Sequence, residues 1–132
     1  MRKINKIIIH HSATEDTMDI GVKTIREWHL ARKWNDIGYH YVIRLDGTCE
    51  VGRPIDKIGA HCKGQNTGSI GLCCVGGLRG GVVTDTLNYK QLATLQVLVN
   101  GLCMIFNLTD RPIFVHKNFA KTECCKIDLK KL

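Results

Sequence analysis

Apolar residues fall in blocks along this chain, and each block has its own period. Residues 6–12, built on Ile7-Ile8-Ile9-His10, read as a short buried strand. Val22, Ile25, Trp28, His29 and Arg32 share a helical face, which predicts an amphipathic helix over about 22–34. After Gly38, Tyr39–Leu45 predicts a strand, and Asp46-Gly47 is a hairpin turn leading to a partner strand over Thr48–Gly52. The glycine-bearing stretch 55–68 predicts an ordered loop, and Ser69–Val75 a second buried strand ended by Gly76-Gly77. Residues 79–88 are polar and contain glycine, which predicts a loop. Leu92, Leu95, Val99, Leu102, Cys103 and Phe106 form a stripe that predicts the longest helix over about 89–107. Pro112–His116 predicts the last strand, and Lys117–Leu132 a loop with a final turn of helix. Strands alternating with helices, together with one hairpin, predict an α/β fold with a mixed central sheet flanked by helices.

Composition adds bounds to that picture. A chain of 132 residues with 44% hydrophobic content forms one core, and no linker or repeat divides it, so one domain over 1–132 is expected. The net charge of +7 favours polyanions (nucleic acid, anionic lipid or anionic cell wall), or is a solvated basic surface with no specific partner. The basic residues are scattered and no basic-aromatic recognition motif stands out, so nucleic acid is not an expected partner. Met1-Arg2-Lys3 resembles a charged leader, but the apolar run behind it, Ile7–Ile9, is too short for a signal-peptide core. No run is long enough for membrane insertion. The chain is therefore expected to be made in the cytoplasm. Its seven cysteines would stay reduced there, most of them as small core residues.

Three residues carry candidate metal chemistry. His10 and His116 each end an apolar run, and Cys124 follows eight residues after His116. Two imidazoles and one thiolate are ligands of the kind zinc takes, and a three-ligand site keeps a fourth position for water. His11 competes with His10, and Cys125 with Cys124. Neighbours on a strand point to opposite faces, so one of each pair reaches the metal, and periodicity does not say which. A thiolate nucleophile, Cys124 with His116 and no metal, is a second reading of the same residues.

The ordered motifs bear a family resemblance. Residues 7–14 (Ile-Ile-Ile-His-His-Ser-Ala-Thr), 38–43 (Gly-Tyr-His-Tyr-Val-Ile) and 46–48 (Asp-Gly-Thr) are similar to those of zinc-dependent N-acetylmuramoyl-L-alanine amidases. Residues 52–54 (Gly-Arg-Pro), 59–61 (Gly-Ala-His) and 64–71 (Gly-Gln-Asn-Thr-Gly-Ser-Ile-Gly) continue the match in order. The group includes phage lysozyme-like amidases and shares its fold with animal peptidoglycan-recognition proteins. The resemblance implies Zn²⁺ held by His10, His116 and Cys124, with Tyr39 and Thr122 as catalytic residues. It places His61, Arg53, Asn66 and Ser69 along the substrate groove. It implies a peptidoglycan or muropeptide substrate, met either at the cell wall after release or in the cytosol, and a monomer. A non-catalytic peptidoglycan-binding module of the same fold is the alternative. Three departures stand out: Thr122 where the phage enzyme has lysine, Cys125 where proline usually follows the ligand cysteine, and no acidic residue soon after His116. Asp128 matches a common aspartate, readable as a partner of the site or as the start of a helical turn.

Overall fold

Strand β1 (Lys6–His11) lies inside a five-stranded sheet and is paired on both edges. The computed structural model describes all of residues 1–132. In chain order β1 is followed by β2 (Thr14–Glu15), helix α1 (Val22–Ala31), β3 (Tyr41–Ile43), β4 (Cys49–Val51) and β5 (Ser69–Cys74). Then come β6 (Gly77–Arg79), β7 (Val82–Val83), helix α2 (Tyr89–Ile105) and β8 (Ile113–Val115). The main sheet has the order β4-β3-β5-β1-β8. Only the β3–β4 hairpin is antiparallel; β3, β5, β1 and β8 run parallel. A mixed sheet with helical crossovers is the predicted α/β fold.

Each face of the sheet has its own core. Ile7 and Ile9 of β1 and Ile70, Leu72 and Cys74 of β5 pack with Leu95, Val99 and Leu102 of α2. Val42 and Cys73 pack with Val22 and Ile25 of α1 on the other face. Covering on both sides explains why Ile7, Ile8 and Ile9 are all fully buried, as the unbroken apolar run requires. Helix α2 starts at a capping box: Asn88 Oδ1 accepts from the Gln91 N–H at 2.9 Å, and the Gln91 side chain accepts from the Asn88 N–H at 3.2 Å. No helix is long and apolar enough to cross a membrane.

Two expectations need correction. The stretch 79–88 is not simply loop: β6 and β7 form a hairpin that joins β2 in a three-stranded sheet. Strands of two or three residues leave no detectable period, and the glycine pairs Gly76-Gly77 and Gly80-Gly81, all at positive φ, mask them further. Trp28, placed by its spacing on the same helical face as Val22 and Ile25, is 39% exposed, whereas Trp34 packs on His29 with ring centroids 4.5 Å apart. The seven cysteines are all unpaired.

Candidate metal centre

Sheet register brings the first two ligating groups together. Ile9 of β1 pairs with Val115, the last residue of β8, in a parallel ladder, so the residue that follows each of them is an imidazole. The rings of His10 and His116 lie 4.8 Å apart. The segment beyond His116 then folds back, closed by a hydrogen bond from the Lys117 N–H to the Cys124 carbonyl. Cys124 Sγ arrives 3.8 Å from His10 Nδ1. One ligand atom from each of His10, His116 and Cys124 lies within 4.8 Å of the others. Zinc–nitrogen and zinc–sulfur lengths in a tetrahedron put those two atom types about 3.6 Å apart, so the donor set and its spacing fit such an ion.

The structure separates both ambiguous pairs. His10 and Ile8 point to one face of β1, and His11 points with Ile7 and Ile9 to the other. There His11 Nδ1–H donates to the Cys74 carbonyl at 3.0 Å. Its Nε2 is buried without a hydrogen-bond partner, 3.8 Å from Asp85. Cys125 is 1% exposed and sits in the core, with Sγ 3.5 Å from the Ile9 carbonyl oxygen. Cys124, not Cys125, faces His10.

The electrostatics suit cation binding. Hydrogen bonding from the Cys125 thiol pulls Cys124 below the ordinary thiol value, while the same contact pushes Cys125 up. Burial lowers His10 strongly, and neighbouring His61 and His116 lower it further. Burial also lowers His116. Both imidazoles are thus neutral at pH 7 and have a lone pair to offer. Tyr39 stacks beside His10 at 5.1 Å. Burial, with Cys73 and Cys124 nearby, raises its phenol well above the usual value, so it stays an O–H donor. Cys73 was not singled out in the sequence. Its signal was the alternation Ser69, Gly71, Cys73, three small residues on the face of β5 opposite Ile70 and Leu72.

The remaining expected residues divide. Thr122 is exposed beside Cys124, and its Oγ1 accepts from the Cys124 N–H at 3.2 Å. Together with His11, Ala13, Leu78 and Val83 it lines a cavity of about 140 Å³ against Cys124. The four residues expected along the substrate groove have their polar groups engaged inside the protein. Ser69 is fully buried and His61 is 8% exposed. Asn66 Oδ1 accepts from the N–H groups of His61 and Cys62 at 2.9 and 3.0 Å. The Arg53 guanidinium donates to the carbonyls of Ile37, Ile58 and Asp36, and so pairs with neither Asp56 nor Glu50. Asp128 accepts from the Lys130 N–H and starts a helical turn over Leu129–Lys131.

The chain has counterparts among known proteins. The model of the N-acetylmuramoyl-L-alanine amidase family matches residues 1–128. The chain belongs to the N-acetylmuramoyl-L-alanine amidase family. This amidase chain is 39% identical to an endolysin of Klebsiella phage KP32, covering 98% of this chain and 85% of that one. It is similar to the solved N-acetylmuramoyl-L-alanine amidase LysC from Clostridium intestinale, with a TM-score of 0.80, 32% identity, and coverage of 96% and 78% of the two chains. It is also similar to a peptidoglycan-recognition-protein chain solved in a complex with tracheal cytotoxin. There the TM-score is 0.80 and the identity 28%, covering 99% of this amidase and 81% of that chain.

Proposed function

We propose that this amidase is a zinc hydrolase that cleaves the amide between the lactyl group of N-acetylmuramic acid and L-alanine in peptidoglycan. The observation that carries the reading is the convergence of His10, His116 and Cys124 beside the Tyr39 phenol. His10, His116 and Cys124 would hold one Zn²⁺ per chain. All three come from the same chain, so a monomer suffices. Bound zinc supplies Lewis-acid polarisation of a carbonyl and acidification of water.

The chain's own groups do the rest. Tyr39 keeps its proton and would offer an O–H donor to the lactyl oxygen as it gains negative charge. Thr122 holds the Cys124 N–H through its oxygen, which leaves its own O–H free to donate towards substrate. A hydroxyl brings no positive charge, so turnover is slower than with lysine at that position. The basic surface draws the protein to anionic wall material, an attraction that salt weakens. The substrate is met at the wall after release, or as cytosolic muropeptides.

Digestion of purified sacculi, read by mass spectrometry, tests the bond. Free stem peptides beginning with L-alanine are expected. Sugar fragments with intact stems would overturn the reading, and binding to undigested sacculi would make the chain a recognition module. Chelation should abolish activity and added zinc restore it. Activity that resists chelation but is lost on alkylation would instead favour a metal-free Cys124 nucleophile.

A further inference from the structure

We propose that His61 and Ser69 are a positioning pair for His10, fixing which of its nitrogens faces the cation, rather than substrate contacts. The proposal rests on the zinc reading above.

One line of protons runs from His10 through His61 to Ser69. His10 Nδ1 faces Cys124 Sγ at 3.8 Å, so this nitrogen must present its lone pair to a shared cation. A neutral imidazole has one proton, which then sits on Nε2. His10 Nε2 is 2.9 Å from His61 Nδ1, and both groups are buried. The His10 N–H therefore donates, and His61 Nδ1 accepts. This puts the His61 proton on its own Nε2, which donates to Ser69 Oγ at 3.1 Å. Each tautomer is assigned by the bond before it, and the reverse direction would aim a proton at the cation.

The rest of the motif holds the His61 ring in place. Asn66 fixes the backbone at His61 and Cys62. The ring lies flat on Gly71 of β5, where an added Cβ would fall 2.5 Å from its Cγ and Cδ2. A Cβ on Gly59 would approach the same ring to 2.9 Å. Two glycines and two polar residues thus converge on one buried imidazole behind His10. Hydrogen bonds of this kind orient metal-bound histidines and raise their basicity.

The test uses the full chain and measures zinc dissociation constants by competition with a chromophoric chelator, alongside KM and kcat at saturating zinc. His61→Leu should weaken zinc binding about 10- to 100-fold while leaving KM unchanged. His61→Asn, whose amide oxygen can replace Nδ1 as acceptor, should recover most of the affinity. Ser69→Ala should lose about threefold. A folded His61→Leu with wild-type zinc affinity would overturn the proposal, and so would raised KM with unchanged zinc affinity, which would put the ring on substrate. If circular dichroism shows His61→Leu unfolded, Ser69→Ala decides, and unchanged affinity there overturns the pair. A wild-type chain that binds no zinc would instead sink the metal reading itself, and the pair with it.

Discussion

The candidate centre is assembled from two unlike regions. His10 stands on a strand buried on both faces, and a hydrogen bond to His61 locks its ring from behind. His116 and Cys124 belong to a short irregular segment that opens with a single turn at His116–Asn118. That segment is anchored by Asn118 accepting from the Val115 N–H, by the closing bond from Lys117 to Cys124, and by Cys125 plugged into the core. One side of the site is therefore preset by the sheet. The other side has few fixed points, and a bound cation would complete it. The sheet presets His10 on one side of the candidate site, and the segment brings His116 and Cys124 to it from the other.

The sharpest way to break this contrast is to remove one ligand from each side. His10→Ala and Cys124→Ala should both abolish sacculus digestion. Their apo-protein stabilities should differ. His10→Ala opens a buried hole and strands His61, costing about 2–4 kcal/mol. Cys124→Ala should stay within about 0.5 kcal/mol of wild type. Urea melts of the zinc-free proteins measure this, and equal losses would mean the two sides are equally preset. Next in size is Gly71→Ala, which crowds the His61 ring and should cost about 1–3 kcal/mol with a parallel loss of zinc affinity. A tolerated alanine with native zinc affinity would show that the preset side is soft.

Acid should destabilise the fold. Burial, helped by Arg32 and Arg53, pulls His29 down to about 4. Burial, helped by Arg2 and Arg53, does the same for His40, also to about 4. Unfolded, both protonate near the ordinary value of about 6.5. The unfolded state thus binds more protons over that interval, and stability falls as pH drops from about 6.5 towards 4. Urea midpoints at intermediate pH values check the slope, and a flat profile would mean neither imidazole is held neutral. The smallest expected effect lies on the segment side. Thr122→Lys adds a charged donor and should raise kcat roughly tenfold. Unchanged or lower turnover would argue that position 122 serves only to cap the Cys124 N–H.

Much of this molecule was legible in its residues. Ile7–Ile9 and the α2 stripe announced their elements because buried strands and amphipathic helices impose a period on the sequence. The two histidines were recognisable as candidates because each ends an apolar run. The second sheet was not legible, since its strands are too short for a period. Nor was the burial of Ser69 and His61, which the resemblance places along a groove.

By itself, then, the sequence determined the α/β order, the candidate donors and the motif set. Only the tertiary structure decided which of each pair faces the candidate site. A strand covered on both faces is apolar at every position, so its pattern does not reveal which way His10 points. The segment holding Cys124 and Cys125 has no period at all, and its sulfurs are sorted by which one the core takes in.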